Sequence, residues 1–477
     1  MFKAYGNYIL TFEYNNLYII LETLISLITY FCCMRRNIKF KIEDPALFIE
    51  KLAAWGRRHD KFCLLNSNNY KNITSSPYTY HEYECLAGAG EISSLNVTQN
   101  NSFEELRKFT GEQRDWMFGY FSYDLKNETE NLSSSHPDGI GFPKTDLFIP
   151  RHLFLLKGGL LKISYLPGKD NTESIKEIFE EIDRIDPGKT EVSVSSSIKA
   201  VFSESRYLET VEKLLEHIKG GDIYEVNFCQ EFYADAIDID PFSTYILLNR
   251  ISPTPFSCFY RQGERYLLCA SPERFLKKKG KKIISQPVKG TYRRGKTAEE
   301  DRELAAALKK DPKERSENIM ITDLVRNDLS RTASKGSIKV QELCGIYTFP
   351  QVHQMISTVT SEMKPGLHFT EVIKSAFPMG SMTGAPKIRA MELIEKYERS
   401  KRGLYSGSVG YITPEGDFDF NVVIRSIQYN KYKRYLSFMT GGAITALSVP
   451  EKEYSECLLK ASAMMKVLNA TGIDQKS

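Results

Sequence analysis

Histidine and paired cysteine motifs are scarce in this sequence. The chain of 477 residues has seven scattered histidines, with neither an HExxH motif nor a zinc-ligand spacing. Its nine cysteines include no CxxC pair, and their odd number favours reduced thiols over a framework of disulfides. These absences argue against a zinc enzyme and against a disulfide-rich secreted domain. We therefore expect a cytoplasmic protein in which any metal ion is held by carboxylates.

A strong charge of either sign is also missing. Lysine and arginine total 64 against 60 acidic residues, and the net charge of +4 is small for this length. Composition therefore predicts no nucleic-acid partner. The hydrophobic fraction of 42% and the charged fraction of 26% are typical of a globular protein. The length is enough for two or three structural units.

Long apolar runs are absent apart from one near the N-terminus. Residues 17–33, LYIILETLISLITYFCC, contain a single charged side chain, Glu22, and MRR follows them. The run has the minimum length for a membrane-spanning helix but fits a signal peptide poorly. We expect residues 1–33 to be an N-terminal extension before the true translation start at Met34, with a signal anchor as the alternative. Even an anchor would leave the body of the protein in the cytoplasm, because positive charges follow it. The membrane is therefore not an expected partner.

Hydrophobic periodicity and loop composition divide the remainder of the chain into two predicted domains. The stretch 186–199, DPGKTEVSVSSSIK, is rich in Pro, Gly and Ser and lacks a helical period, which is typical of a domain boundary. We predict an N-terminal domain at 34–190 and a second domain at 200–472. Strands joined by hairpins, with helices in separate runs, indicate an α+β fold. Helices are predicted at 170–185, 205–222, 298–310, 314–330, 369–376, 385–399 and from about 449.

A lysine follows a predicted hairpin in the second domain. The segment FLKKKGKKIIS turns near Gly280, and counting eight residues outward from Lys281 in each direction places Glu273 opposite Lys289 unless a bulge intervenes. Pro287 cannot donate to the ladder, so pairing should end there. One interpretation is a cross-strand ion pair, which at a surface contributes only about 0–1 kcal/mol. The other is a nucleophilic amine beside a proton donor, which requires a lowered lysine pKa.

Two distant helices carry further carboxylates. Glu317 shares a predicted helix face with Ile321 and Leu324, where an ionised group is costly unless it is paired or bound to a metal. Glu453 and Glu456 share a stripe of the last helix. Taken singly, an ion pair or a solvated charge explains each of them. If the two helices meet, however, their oxygen ligands would suit Mg²⁺, and the metal would then hold a substrate carboxylate.

The densest motifs of the chain, taken in order, resemble those of the chorismate-utilising enzymes. The match includes SPERF, QPVKGTYRRG, ENIMITDLVRNDLSR, FPMGSMTGAPKIRAMELI, GSVGYITPEGDFDFNVVIRSI and GGAIT with EKEYSE. This family comprises anthranilate synthase component I, aminodeoxychorismate synthase component I, and the isochorismate and salicylate synthases. The resemblance implies the fold of anthranilate synthase component I, in which antiparallel sheets pack in a sandwich with helices outside. It identifies 34–190 as the N-terminal domain of that type and 200–472 as the chorismate-binding catalytic domain.

Within the family, the residues around Lys289 resemble aminodeoxychorismate synthase component I. That subfamily usually has lysine in the motif Pro-Ile-x-Gly-Thr, here Pro287 to Thr291, whereas anthranilate synthases have alanine. The resemblance implies that Lys289 adds to chorismate at ring C2 while Glu273, as a general acid, helps the C4 hydroxyl to leave. Ammonia then adds at C4 and expels the lysine, giving 4-amino-4-deoxychorismate for 4-aminobenzoate and folate synthesis. The alternative is anthranilate synthase component I, which forms anthranilate and pyruvate for tryptophan synthesis.

The resemblance also assigns the metal site. Glu317 and Glu456 match the metal ligands of the family, with Glu453 in the same shell, and the implied cofactor is Mg²⁺. The metal ion would hold the ring carboxylate of chorismate. The backbone at Gly290 and Thr291 would hold the same carboxylate.

Further residues are implied to hold the rest of the substrate. Tyr405 and Arg425 match positions that hold the enolpyruvyl carboxylate, and an arginine fork suits a planar carboxylate. The backbone at Gly442 and Ala443 would assist them. His353 matches the active-site histidine of the family.

Two positions depart from relatives, and both bear on function. Glu225 stands where isochorismate and salicylate synthases place a basic lysine that activates water, which argues against a water-adding enzyme. Asn66, in CLLNSNN, replaces the glutamate of a tryptophan-pocket motif. Tryptophan feedback is therefore not expected, although a structural tryptophan is compatible with the motif.

The implied reaction needs partners. Because 477 residues leave no room for a fused glutaminase or a pyruvate-eliminating lyase, we expect a separate glutamine amidotransferase subunit to supply ammonia. A separate aminodeoxychorismate lyase would act on the product.

Overall fold

The computed structural model describes residues 35–70, 80–188, 197–350, 352–469 and 473–475. The predicted N-terminal extension at 1–33, with its apolar run, lies outside these residues. Within the described ranges, no helix combines the length and the apolar character needed to cross a membrane.

Strands make up most of the regular structure. They are β1 (Arg36–Lys41), β2 (Lys61–Asn66), β3 (Cys85–Val97), β4 (Met117–Phe121), β5 (Thr145–Lys157), β6 (Leu160–Tyr165), β7 (Ile198–Ala200), β8 (Glu225–Ala234), β9 (Phe256–Gln262), β10 (Arg265–Ser271), β11 (Arg274–Lys279), β12 (Lys282–Gln286), β13 (Val288–Arg293), β14 (Lys339–Thr348), β15 (Val352–Glu362), β16 (Gly384–Ala385), β17 (Ser408–Ile412), β18 (Phe418–Asn421), β19 (Ser426–Asn430), β20 (Tyr435–Thr445) and β21 (Ile473–Gln475).

The helices lie between groups of strands. They are α1 (Pro45–Gly56), α2 (Ser102–Glu112), α3 (Lys126–Thr129), α4 (Thr172–Arg184), α5 (Glu204–Lys219), α6 (Pro241–Ile251), α7 (Ala298–Lys310), α8 (Pro312–Ser330), α9 (Phe369–Ala376), α10 (Lys387–Tyr397) and α11 (Pro450–Val467). Short 3-10 turns occur at Tyr123–Leu125 and Gly380–Met382. Every helix predicted from periodicity is confirmed, with ends that differ by a few residues.

The strands form two layers that share strand β5. The first layer runs β1–β6–β5–β3–β2–β9–β10–β19–β20–β8–β7, and all of these pairs are antiparallel. The second layer leaves β5 through β4 and runs β17–β18–β11–β12–β15, with β13 and β14 both paired to β15. Only β21, which pairs with β7, is parallel among the described strands.

Aromatic side chains fill the space between the two layers. The rings of Tyr120 in β4 and Tyr260 in β9 lie 5.3 Å apart, edge to face. Phe148 in β5 contacts the same Tyr260 ring, at a centroid distance of 6.2 Å. On the outer face of the first layer, helices α1, α4, α5, α6, α10 and α11 contribute to one continuous hydrophobic core. The expected α+β sandwich with helices outside is therefore confirmed.

Strands from the two predicted domains pair with each other. Strand β2 pairs with β9, and β4 pairs with β17, so residues 34–190 and 200–472 both contribute to each layer. The boundary predicted at 186–199 lies partly outside the described residues, and it stays a prediction. The described cysteines are all free and buried, as the sequence predicted.

Local signals in the sequence fix the helix that matters most for the site. Helix α8 begins at Pro312, and the side chain of Asp311 accepts a hydrogen bond from the backbone N–H of Glu314 at 3.0 Å. Proline is favoured at this first position because its missing N–H would be unpaired there anyway. The helix then runs to Ser330 with its buried face against β13 and β15.

Candidate active site

A cavity of about 110 Å³ lies between the two layers and is closed by helices α8 and α11. We call it the central cavity. Strands β8 and β20 of the first layer and strands β13 and β15 of the second contribute to its wall. Predicted site residues that line it are Glu273, Lys289, Gly290, Thr291, Glu317, Tyr405, Arg425, Ala443 and Glu456. Residues far apart in sequence are therefore brought together as expected.

Lys289 lies in a bulge of strand β13. The ladder between β13 and β15 shifts register between Val288 and Thr291, and a bulge of this kind redirects the side chains within it. The lysine is 9% exposed, and its Nζ donates a hydrogen bond to Oε1 of Glu225 at 3.0 Å. Glu225, at the start of β8, is completely buried. The candidate nucleophile is thus half of a buried ion pair.

Opposing effects act on the Lys289 amine. Burial by itself lowers the pKa of a lysine, but Glu225, Glu317 and Glu273 outweigh it and raise the pKa of Lys289. The lowered pKa that a nucleophilic lysine requires is therefore not found for Lys289. The amine carries a proton, and it needs a proton acceptor before it can attack an electrophile.

The predicted register of the β11–β12 hairpin is wrong. Counting from the turn predicts Val288 as the partner of Arg274, whereas the observed partner is Gln286, two residues earlier. Two causes each account for one residue: Lys279 pairs with Lys282, so the turn centres between Gly280 and Lys281 rather than on Lys281, and a bulge lies between Arg274 and Lys277. Glu273 is consequently not directly opposite Lys289 in the ladder, although both residues line the central cavity.

The environment of Glu273 suits a proton donor. Burial raises the pKa of this carboxyl group to about 7, against the lowering effects of Ser381, Lys289 and Arg425. A carboxyl group that stays protonated near neutral pH is able to act as a general acid. The two carboxylates near the lysine therefore differ, since Glu225 is hydrogen-bonded to the amine and Glu273 is not.

Helix α8 is fastened to the strand that carries Lys289. The side-chain amide of Asn318 donates to the backbone carbonyl of Met355 at 3.2 Å and to that of Lys289 at 3.5 Å. Gly290 adopts φ +90°, and a Cβ at this position would lie 3.1 Å from Oε2 of Glu314. Glycine is therefore required where strand β13 and helix α8 approach each other.

Three carboxylates of α8 and α11, Glu314, Glu317 and Glu456, line one end of the central cavity. The predicted ligand Glu453 of α11 does not line it, but it is joined to Glu317 through an ion pair with Lys313. Burial raises the pKa of Glu317 to about 8 and that of Glu314 to about 7. Glu314 follows the N-cap residue Asp311 by three positions, which is the spacing of a helix-capping partner. Glu314 lies four residues before Asn318 on α8 and contacts Gly290. Its side chain lines the central cavity.

Lysine side chains occupy the space between these carboxylates. Nζ of Lys313 lies 2.7 Å from Oε1 of Glu453 and 3.8 Å from Oε1 of Glu317. On the other side, Nζ of Lys460 lies 2.7 Å from Oε1 of Glu456. In the described part of the chain, no three His, Cys, Asp or Glu side chains are close enough together to hold a metal ion.

The chemistry of this donor set nevertheless fits a divalent cation. Oε1 of Glu317 and Oε2 of Glu453 are buried and have no hydrogen-bond partner among the described residues. Unpaired buried carboxylate oxygens are costly, and a hard cation satisfies them. Glu317, Glu453 and Glu456 are the residues that would hold Mg²⁺, and the magnesium site stays a prediction.

The placement predicted for His353 is wrong. Its ring nitrogens bond to Oγ1 of Thr348 at 2.9 Å and to Oδ1 of Asp301 at 3.0 Å, and it does not line the central cavity. Its neighbour Gln354 lines the cavity instead, because successive side chains of a strand point to opposite faces. Gln354 was missed by the sequence reasoning, although strand alternation along β15 was a usable signal.

The residues predicted to hold a second carboxylate lie on the first layer and the loops beside it. Tyr405 and Arg425 line the central cavity, as does Ala443 of β20. The hydroxyl of Tyr405 is within 3.4 Å of Sγ of Cys229. Gly442 borders α11 rather than the cavity, since a Cβ there would meet Glu453 Oε2 at 3.4 Å. The Arg425 guanidinium gives this end of the cavity a positive charge.

A second cavity, of about 50 Å³, lies beside the motif CLLNSNN. Its wall includes Asn66, whose Oδ1 accepts a hydrogen bond from the backbone N–H of Asn68 at 2.8 Å. The absence of tryptophan feedback at this position stays a prediction.

Comparison with known proteins agrees with this geometry. The family described as chorismate binding enzyme matches residues 60–466, so the chain belongs to the chorismate binding enzymes. It is 35% identical over 358 residues to anthranilate synthase component 1 of Thermus thermophilus, covering 73% of this chain and 76% of the relative. It is 32% identical over 371 residues to aminodeoxychorismate synthase component 1 of Bacillus subtilis, covering 75% and 78%.

A solved structure shows the same fold. The anthranilate synthase component I from Streptococcus pneumoniae superposes with a TM-score of 0.71 at 24% identity, covering 82% of this chain and 93% of that structure. The fold and the family define a chorismate-binding enzyme.

Proposed function

We propose that this enzyme aminates chorismate at C4 and releases 4-amino-4-deoxychorismate. The observation that carries the proposal is the placement of the Lys289 amine and the Glu273 carboxyl group, with its pKa of about 7, on the wall of one cavity. A lysine is a competent nucleophile, and a carboxyl group that keeps its proton near neutral pH is a competent general acid. A relative named aminodeoxychorismate synthase component 1 supports the same assignment.

Two successive allylic substitutions account for both groups. The amine of Lys289 adds at C2, the ring double bond shifts, and the C4 hydroxyl leaves as water with a proton from Glu273. Ammonia then adds at C4, the double bond shifts back, and the lysine leaves C2. The enolpyruvyl group is retained throughout.

The remaining cavity residues would orient the substrate. Arg425 and Tyr405 would hold the enolpyruvyl carboxylate. The backbone at Gly290 and Thr291 would hold the ring carboxylate. Glu317, Glu453 and Glu456 would hold Mg²⁺, which supplies a positive charge for that carboxylate when it is bound. A cation held by the glutamates and the positive end at Arg425 would thus complement the two carboxylates of a dianionic substrate.

Ammonia would reach the site from a glutamine amidotransferase subunit. The name component 1 of the curated relatives supports a second component. Aminodeoxychorismate lyase would consume the product in 4-aminobenzoate and folate synthesis. The free, buried cysteines support a reducing, cytoplasmic location.

The test is an assay with chorismate, Mg²⁺ and ammonium, coupled to aminodeoxychorismate lyase. The wild-type protein should produce 4-aminobenzoate only when the lyase is added. Lys289→Ala should reduce the rate by at least about a hundred-fold, because no other group supplies the nucleophile. Lys281→Ala removes an exposed lysine of the neighbouring turn and should leave the rate unchanged. A fully active Lys289→Ala would overturn the proposal.

The alternative function is anthranilate synthesis, which the relative from Thermus thermophilus favours. The same assay separates the two reactions, because anthranilate is fluorescent and forms without a lyase. Lys289 favours amination at C4, since it stands at a position where anthranilate synthases have alanine. Fluorescence that develops in the absence of lyase would instead establish the alternative.

A further inference from the structure

A third carboxylate, Glu225, is in direct contact with the proposed nucleophile. Its Oε1 accepts the hydrogen bond of Lys289 Nζ at 3.0 Å, and the residue has no exposed surface. Its Oε2 is also buried and has no hydrogen-bond partner in the described ranges. The reaction proposed above assigns no step to this carboxylate, although burying it is costly.

The backbone of Glu225 is held on both sides. It pairs with Thr445 of β20 and with Ala385 of β16. Gly384 approaches so closely that a Cβ there would lie 2.1 Å from the carbonyl oxygen of Glu225. The carboxylate is therefore presented to Lys289 from a fixed strand, so its contact with the amine does not depend on a flexible loop.

Other charged groups face the lysine from a greater distance. Glu273 precedes β11, Glu317 is on α8 and Glu456 is on α11, and each interacts electrostatically with the Lys289 amine. None of their oxygens lies within the 4.0 Å of an ion pair with Nζ in the described structure, whereas Glu225 does. Glu225 is thus the group placed to exchange a proton directly with the amine.

We propose that Glu225 is the proton acceptor of Lys289, which converts the buried ammonium into a free amine at the start of the reaction. The inference rests on the proposed function and deepens it. Glu225 acts through Lys289 and has no role in holding chorismate, since it does not line the central cavity. The 3.0 Å ion pair itself explains why an acceptor is needed, because the amine within it carries a proton.

The proton balance closes over one cycle. The ammonium of Lys289 gives a proton to Glu225, leaving an amine and a neutral carboxyl group. The amine forms the bond to C2, the C4–O bond breaks, and Glu273 supplies the proton that completes water. Ammonia forms the C4–N bond, the C2–N bond breaks, and the lysine departs as a neutral amine. The new C4 ammonium returns a proton to Glu273, and Glu225 returns its proton to the lysine.

The test is the pH profile of Glu225→Gln, with the concentration of free NH₃ held constant at each pH. In the wild-type enzyme Lys289 passes its proton to Glu225, and the two residues together keep that proton. The kcat of the wild-type enzyme should therefore not rise with pH below pH 7. In the variant the proton must leave for solvent. Its kcat should then rise about ten-fold per pH unit in this range, with little change in the KM for chorismate.

Glu225→Asp provides the matched comparison. It retains an acceptor at a longer distance, so it should lower kcat while keeping the shape of the wild-type profile. A purely structural role predicts the same profile shape in all three proteins, and that result would overturn the inference. If Glu225→Gln does not fold, as judged by thermal unfolding, an ascending limb in Glu225→Asp would likewise overturn it.

Failure of the inference is distinguishable from failure of the proposed function. If Lys289→Ala is active, Lys289 is not the nucleophile, and the proposed function is refuted. If Lys289→Ala is inactive and the pH profile of Glu225→Gln matches that of the wild type, only the role of Glu225 is refuted.

Discussion

Nζ of Lys313 lies 2.7 Å from Oε1 of Glu453, so an ion pair joins helix α8 to helix α11 among the residues that would hold a metal. The lysine is 24% exposed, whereas Glu453 is 1% exposed. A positive side chain thus already lies in the carboxylate cluster of the ligand-free protein. Metal binding then requires that this ammonium leave Glu453.

Removing that charge should strengthen metal binding. We expect Lys313→Met to tighten the Kd for Mg²⁺ about ten-fold, because a positive charge at about 4 Å opposes a bound cation by about 1–4 kcal/mol. Calorimetric titration with Mg²⁺, in the absence of chorismate, measures the effect directly. Lys310→Met, at the exposed end of α7, is the control and should bind as the wild type does. Equal affinities in all three proteins would contradict the prediction.

Catalysis should be lost at alkaline pH, because Glu273 loses its proton there. The pKa of Glu273 is raised from 4.5 to about 7, so the acid form needed for C4–O cleavage is present below about pH 7. The kcat of the wild-type enzyme should therefore fall as pH rises through 7, at constant free NH₃.

Replacement of the same residue isolates its contribution. Glu273→Gln should lower kcat by about a hundred-fold or more and remove this alkaline limb, because the amide has no proton to donate. Glu264→Gln, which changes a carboxylate that is 52% exposed, is the control. A Glu273→Gln variant that retained the alkaline limb would show that another group titrates there.

The pair formed by Asp419 and Arg274 should dominate the stability of strand β11. Arg274 donates to the two oxygens of Asp419 at 2.8 and 3.0 Å, and both residues are buried. Asp419→Asn should lower the free energy of unfolding by about 3–5 kcal/mol, because it leaves a buried guanidinium without its counter-charge. Urea denaturation measures the loss. Asp323→Asn, on the exposed face of α8, should change stability by no more than about 0.5 kcal/mol.

The same pair predicts a stability loss in acid. Burial opposes ionisation of Asp419, but Arg274 and Lys277 outweigh it and lower the pKa of Asp419 to about 2. An unfolded aspartate titrates near about 3.9. The contribution of Asp419 is therefore complete above about pH 4 and is lost as pH falls through about 2. Asp419→Asn should flatten this part of the pH–stability curve, and a curve parallel to that of the wild type would exclude the assignment.

Gly290 should be more sensitive to substitution than Gly280. Both have positive φ, +90° and +58°, but only at Gly290 would an added Cβ meet neighbouring atoms within 4 Å. Gly290→Ala should therefore combine backbone strain with displacement of Glu314, and should reduce kcat at least about ten-fold. Gly280→Ala introduces only the backbone strain of a positive φ, so this variant should keep its activity. Steady-state kinetics of both variants, with unfolding curves to separate stability from activity, provides the check.

Short-range signals explain why much of the fold was predictable. Helix α8 has a local start signal at Asp311–Pro312, and the hairpin of β11 and β12 was located through its turn at Gly280. These features depend on residues within a few positions of one another. The family motifs then brought Lys289, Glu273 and Glu317 to one cavity, as observed.

The misjudged features depend on longer-range geometry. The position of the turn and the bulge after Arg274 each moved the hairpin register by one residue, and nothing local in the sequence announces the bulge. The contact between Glu225 and Lys289 joins strands 64 residues apart in the chain. The sequence indicated Glu225 only as a departure from relatives. Its contact with Lys289 was not predictable, because the packing of the two layers determines which strand lies beside β13.

Asn318 and Glu317 are consecutive residues of α8, and they contact different parts of the candidate active site. The amide of Asn318 is bonded to the carbonyl of Lys289, whereas the carboxylate of Glu317 belongs to the glutamate cluster. A sideways movement of this one helical turn would displace the proposed cation ligand and the proposed nucleophile together. Redesign of the proposed metal site would accordingly disturb the Lys289 amine, unless the turn is rebuilt as a unit.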